Sequence, residues 1–359
     1  MRALVVTPGH AASLRLVDRA DPEPRENQVL LRTLALGICG SDQEIVHHSV
    51  GRLPEGSTDL VLGHEAVAQV VTAPADSGLR NGQLVVPTVR RACTCPSCLP
   101  CRSGRSDLCW SGQYRERGIL ELDGFGCDLF TEEPEHLVPV PDANIGLLLE
   151  PASVLAKALD QVWRVADARG PWQPRGALVL GAGPVGLLGA LFLRQNGLET
   201  TVYDRADRGS PKACWAERIG AHYVQAGSEL PVAVADHAPF SLVLECTGAT
   251  SLVLGAALLL RASGVLCLLA GCTANDVQPS IARRISGHLI LTNGMILGSV
   301  NSGLPHFLDA RRRLSDADKS WPGLLDALIN ERLPLARFAS AFHPDPGRIK
   351  VALDFCSPD

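Results

Sequence analysis

Residues 176–204 constrain this 359-residue chain more tightly than any other stretch. An apolar run, ALVL, leads into Gly181-Ala-Gly183-Pro184-Val185-Gly186, a helical pattern follows (PVGLLGALFLRQNG), and the next apolar run, TTVYD, closes on Asp204. Strand, glycine turn, helix and an acid about twenty residues on make up the Rossmann dinucleotide fingerprint. Gly181 permits the tight turn, Gly183 lets the backbone approach a pyrophosphate, and Gly186 lets the helix close on the sheet. The helix N-terminus then favours phosphate charge. Asp204 is expected to accept hydrogen bonds from a ribose 2′-hydroxyl and to repel a 2′-phosphate, a repulsion that Arg205 and Arg208 partly offset. The expectation is preference for NAD with some use of NADP.

The turn opens a longer alternation. TTVYD, PKACWAERIG, SLVLE, SLVLGAALLLRAS and VLCLLA read as strands and helices in turn, the mark of a doubly wound parallel sheet covered on both faces. Thr247 and Gly248, after SLVLE, are expected to line the cofactor. Before residue 150 the texture differs: RALVV, QVLLRTLAL, LVLGHEAVAQVV, GQLVVPTV and HLVPVP are β-type runs broken by Gly, Pro and Asp, as in a mostly antiparallel domain. PASVLAKALDQVWRVADA reads as one helix, PHFLDARRRL as another, and VALDF as a late strand. The expected α/β architecture is bilobal, with residues 1–165 and 300–359 in one domain and 166–299 in the parallel-sheet domain. The active site is expected in the cleft between them.

Composition excludes several alternatives. Hydrophobic residues make up 46% of the chain, enough for a large core, and the net charge of -5 argues against a nucleic-acid partner. Residues 176–193 carry no charge, but their glycines and proline break them into strand, turn and helix, so no membrane span is expected. The opening MRALVVTPGHAASLRL is interrupted before a signal-length apolar run forms, and the cytoplasm is the default location.

Twelve cysteines in such a chain point to metal ligation rather than disulfides. Cys95, Cys98, Cys101 and Cys109 have the spacing C-x2-C-x2-C-x7-C in a Pro/Ser/Gly-rich loop, which predicts a closed, structural four-thiolate zinc site. Cys93 is the competing ligand, and the regular spacing favours Cys95. The other seven cysteines (93, 127, 214, 246, 267, 272 and 356) are read as reduced thiols. A second set is dispersed: Cys39 in GICGSD, His64 and Glu65 in GHE, and Glu150 before Pro151. Mixed sulfur, nitrogen and oxygen donors suit a catalytic zinc that keeps a position open.

These segments together resemble the zinc-dependent medium-chain dehydrogenases of the alcohol dehydrogenase superfamily, and CRSGRSDLC, YRERGI with Glu116, DGF at Asp123, and GSVNSGLPHF with Asn301 and His306 resemble its glucose 1-dehydrogenase group. The resemblance covers nearly the whole chain and implies a GroES-like catalytic domain beside the Rossmann domain. It implies that Cys39, His64, Glu65 and Glu150 ligate the catalytic zinc, with the two glutamates alternating. Ser41, Glu116, Glu150 and Asn301 would contact the sugar, and the protein would be a homotetramer. The chain departs from the pattern at Ala68 (for Gly), at Asp204-Arg205-Ala (for Asn-Arg-Arg), at Ser41 (for Thr) and at Gly126-Cys127-Asp128.

The expected reaction is hydride transfer from a sugar hydroxyl to NAD(P), with Ser41 as first proton relay and His47 or His48 as later ones. Glucose or a similar aldose, oxidised at C1 to the lactone, is the favoured substrate. Another polyol, cyclitol or aminocyclitol is the close rival, and a catalytically silent nucleotide-binding protein the remote one.

Overall fold

The computed structural model describes residues 1–48, 50–227, 229–271 and 279–356, so Cys272 lies outside the described residues. The chain divides into two compact units, one of 1–153, 301–315 and 329–359, the other of 154–300 and 316–328.

The first unit is built on a largely antiparallel sheet whose central strand, Val29–Ile38, carries an apolar side chain at most positions. Glu65–Thr72 pairs with it on one side, with Gly37 opposite Glu65, and Val351–Asp354 on the other, with Val351 opposite Ile38. Three distant segments of the sequence therefore meet at one strand end. Leu4, Leu31, Leu36, Leu62, Phe125 and Leu353 are fully buried around it, each side chain contributing roughly 1.5–3 kcal/mol. A smaller sheet joins Arg90–Arg91, Arg115–Arg117 and Glu121–Leu122.

The second unit holds six parallel strands in the spatial order 222–225, 199–204, 176–180, 240–245, 260–268, 295–298. The order reverses between 176–180 and 240–245, where doubly wound sheets take their ligands. The helix Pro184–Gln195 is buried at every position from Gly186 to Leu193, which fits its unbroken apolar sequence.

Two boundaries differ from the sequence reading. The helix read from Pro151 begins at Ala143, with Pro151 inside it; a proline looks like a helix start, but the apolar GLLL before it continues the same helix. Residues 154–165 and 316–328 belong to the parallel-sheet unit. Leu155 lies against Gly189, where a Cβ would stand 3.2 Å from it, and the Trp215 indole donates to the Leu324 carbonyl at 2.9 Å. No described helix is long and apolar enough to cross a membrane.

Candidate metal and dinucleotide sites

Cys39 ends the central strand and caps the helix Gly40–His47. Its thiol sulfur accepts from Ser41 N at 3.2 Å, and its own N–H donates to the Asp42 carboxylate at 2.9 Å. The cap fixes the sulfur at the helix N-terminus. His64 stands in the bend just before the neighbouring strand, after Gly63, whose φ of +92° and contact with Leu36, 2.6 Å from where a Cβ would sit, exclude any side chain. Cys39 Sγ and His64 Nε2 are 3.1 Å apart, and a Glu65 carboxylate oxygen joins them within 4.8 Å. The fully buried Asp42 faces His64 Nδ1 at 3.4 Å, just outside hydrogen-bond geometry, and neither atom has another partner among the described residues. Burial disfavours the imidazolium, yet the Cys39 and Asp42 charges hold its pKa well above the ordinary value. The sulfur, nitrogen and oxygen donors and the carboxylate behind the imidazole fit zinc.

Three residues around this corner depart from expectation or escaped it: Glu150, Lys350 and Asp42. Glu150 lies outside the three-residue set. Its carboxyl is pushed up to about 7 by burial, against the pull of His64 and with a further push from Glu65. Glu65 has a cation beside it: Lys350 Nζ pairs with its Oε2 and donates to the Ile38 carbonyl at 3.2 Å. Burial opposes the ammonium, but Glu65 and Cys39 raise its pKa. A Cβ on Gly37 would lie 2.5 Å from Glu65 Oε2 and 2.9 Å from Lys350 Cε, so this glycine makes room for the pair. Lys350 and Asp42 were not singled out from sequence. The lysine immediately before VALDF and the acid of GICGSD were the available signals.

Glu116 and Asn301 meet, with Asn301 Nδ2 donating to Glu116 Oε1 at 2.7 Å, and the Glu116 charge contributes to the shift at Glu150. Asn301 holds φ +60°, a left-handed conformation that Asn tolerates. Ser41 is half-buried beside Cys39, whereas His47 and His48 are exposed. His306 Nδ1 accepts from Gly303 N at 3.0 Å, and Asp123 is tied to Arg19 and Val61 N.

In the cysteine loop the converging thiols are those of Cys93, Cys98, Cys101 and Cys109, not Cys95. The Cys95 carbonyl accepts from Cys98 N at 3.1 Å, closing a turn that leaves its thiol 3.2 Å from Ser97 Oγ. Spacing counts residues and does not register which side of that turn a thiol takes. Cys98 and Cys109 sulfurs are 3.8 Å apart, close to the roughly 3.8 Å edge of a tetrahedron with 2.3 Å zinc–sulfur bonds. Backbone N–H groups, that of Cys101 foremost, pull the Cys98 thiol down to about 6, while burial pushes Cys101 up to about 12. Four thiols in this arrangement fit zinc.

The dinucleotide turn has the expected mechanics. Gly181 takes φ +97°, a Cβ on Gly186 would fall 1.9 Å from the Gly181 carbonyl oxygen, and one on Gly183 would meet nothing within 4 Å. Pro184 and Val185 open the helix, with Gly183 at its N-cap. Asp204 is partly committed: Oδ2 accepts from Ala182 N at 2.7 Å and Oδ1 from Ala206 N at 2.9 Å, which leaves one lone pair on each oxygen for a ribose. Arg205 and Arg208 are exposed beside it. Thr247 N and Gly248 N both donate to the buried Glu245 carboxylate, an anchor for that turn not foreseen from sequence.

Comparison with known proteins agrees with this geometry. Residues 25–142 match the alcohol dehydrogenase GroES-like domain and residues 143–355 the glucose dehydrogenase C-terminus. The chain is 36% identical over 359 residues to glucose 1-dehydrogenase of Methanocella arvoryzae, covering 99% of each. It is 39% identical to that of Thermoproteus tenax, covering 98% of this chain and 99% of the relative. The structure of Haloferax mediterranei glucose dehydrogenase in complex with NADP, Zn and gluconolactone superposes with a TM-score of 0.90 at 32% identity, covering all of both chains. Matched end to end by these sequences and folds, the chain belongs to the zinc-dependent medium-chain dehydrogenases of the alcohol dehydrogenase superfamily, in their glucose 1-dehydrogenase group.

Proposed function

We propose that this protein oxidises an aldose such as glucose at its anomeric hydroxyl, giving the lactone, with hydride passing to NAD and less readily to NADP. The observation that carries the reading is the convergence of Cys39, His64 and Glu65 in the same unit as the paired Glu116 and Asn301. The relative crystallised with NADP, Zn and gluconolactone has the same fold. A zinc ion held there would supply Lewis acidity towards the substrate hydroxyl, and a bound nicotinamide would supply the hydride acceptor. Cys39 and His64 hold the ion and Asp42 orients the imidazole, with Glu65 or Glu150 as the further ligand. Cys93, Cys98, Cys101 and Cys109 hold the structural ion. Glu116 and Asn301 orient the sugar, and the Ser41 hydroxyl takes the substrate proton towards solvent. Gly181, Gly183 and Gly186 receive the pyrophosphate, Asp204 the ribose.

The test is nicotinamide reduction by zinc-loaded protein across aldoses, polyols and aminocyclitols with each coenzyme. Oxidation of an aldose to its lactone is expected, and absence of turnover with every polyhydroxylated substrate overturns the reading. Cys39→Ala and His64→Ala should abolish turnover while NAD still binds.

The protein is further placed in the cytoplasm, where zinc-binding thiols stay reduced, and as a homo-oligomer, in the family's case a tetramer. The strand Met295–Gly298 is a sheet edge, and Ile290, Leu291 and Val300 near it in sequence are 74%, 85% and 66% exposed, a surface that a second copy would cover. Sedimentation as a monomer at micromolar concentration would rule this out.

A further inference from the structure

One side chain ties the four-thiol loop to the Glu116 corner. Arg90 lies in the strand Arg90–Arg91, three residues before Cys93, and faces Glu116 across the sheet. Its side chain is only 4% exposed. Its Nε donates to Glu116 Oε1 at 2.9 Å, its Nη1 donates to the Asp107 carbonyl at 3.4 Å, and its guanidinium lies 3.7 Å over the Tyr114 ring. Asp107 belongs to the turn Ser106–Leu108 that delivers Cys109, and Arg105 grips its carboxylate with two bonds of 3.0 Å. The guanidinium is thus fixed by carboxylate, carbonyl and ring at once, which its planar fork allows and a lysine ammonium does not.

The Glu116 end is equally specific. Oε1 accepts from both Arg90 and Asn301, while Oε2 accepts no hydrogen bond among the described residues. Asn301 is held by its own turn, its Oδ1 accepting from Ser302 N at 2.6 Å, and Ser302 Oγ meets Ser153 Oγ at 2.6 Å, three residues after Glu150. A Cβ on Gly303 would sit 3.2 Å from Asp107 Oδ1, so the 301–303 turn runs directly against the thiol loop.

We propose that Arg90 is a positioning residue for substrate recognition: by saturating Glu116 Oε1 and anchoring the Cys109 turn, it presents Glu116 Oε2 as the acceptor for one sugar hydroxyl and makes that acceptor depend on the four-thiol loop. The inference rests on the sugar-oxidising reading above. An unsaturated carboxylate oxygen on a fixed carboxyl plane is a directional acceptor, and a freely rotating one discriminates poorly between a hydroxyl and a hydrogen.

The experiment compares wild type with Arg90→Met and Arg90→Lys, zinc-loaded, on glucose and its monodeoxy analogues. Arg90→Met should raise KM for glucose at least tenfold with kcat changed less than threefold and the NAD KM unchanged. The analogue that wild type rejects most should lose most of its disadvantage. Arg90→Lys, which keeps the charge, should fall between. Cys109→Ser, by loosening the turn, should reproduce the KM increase. Wild-type KM and wild-type deoxy-sugar discrimination in both Arg90 variants would overturn the proposal. Amide hydrogen exchange in the substrate-free proteins separates this outcome from failure of the sugar reading: exchange at residues 115–117 and 301–303 should rise in Arg90→Met if the coupling exists, whatever the substrate, and unchanged exchange refutes it.

Discussion

Lys350 and Glu65 form an ion pair whose side chains are 1% and 3% exposed, with Gly37 providing the space they fill. Removing one partner strands the other charge away from water, which costs about 3–5 kcal/mol, whereas removing both together costs much less. Lys350→Met should therefore lower the denaturation free energy of metal-free protein by that amount. Lys350→Met combined with Glu65→Gln should recover much of the loss. Equal losses in the single and double variants would show that the pair does not act as a unit.

The thiol geometry makes a prediction that spacing alone would reverse. Cys95→Ser should retain two zinc ions per chain, whereas Cys93→Ser, Cys98→Ser, Cys101→Ser or Cys109→Ser should retain one, read by elemental analysis after gel filtration. Loss of an ion from Cys95→Ser with two retained by Cys93→Ser would restore the regular spacing as the correct ligand set.

Asp204 bears on coenzyme choice through charge as well as hydrogen bonding. Asp204→Asn removes the repulsion towards a 2′-phosphate and leaves Arg205 and Arg208 in place. The ratio of kcat/KM for NADP over NAD should rise about tenfold, roughly 1.4 kcal/mol. Wild type with equal efficiency for both coenzymes, or an unchanged ratio in the variant, would remove Asp204 from this role.

His136 gives an acid-side stability signature. Burial, aided by Arg91, lowers its pKa from 6.5 to about 4. Between those values the unfolded chain takes up a proton that the folded chain refuses, so the stabilisation is complete above pH 6.5 and lost as pH falls to about 4. The loss is on the order of 2 kcal/mol, allowing for partial exposure. The difference in unfolding free energy between wild type and His136→Gln should change by that amount over this range, and a pH-independent difference would contradict it.

What the sequence disclosed followed the range of the interactions concerned. The dinucleotide turn was legible because Gly181 and Gly186 answer to demands set within five residues, a positive φ and a 1.9 Å approach. The donors Cys39, His64 and Glu65 were identified by motif, and the fold brings them together. The choice of Cys93 over Cys95 was not legible, since it depends on which way a single turn faces. The place of residues 316–328 depends on Trp215 reaching Leu324, 109 positions away, and no local pattern in PHFLDARRRL announces it.

The Lys350–Glu65 bond spans 285 residues. Ribosomal synthesis emits the ligand-bearing loops long before their neutralising ammonium. Until Val351–Asp354 docks, the nascent polypeptide carries a carboxylate that its eventual surroundings cannot yet shelter. Completion of the metal corner therefore waits on Lys350, and polypeptides released short of it would leave the corner open to water.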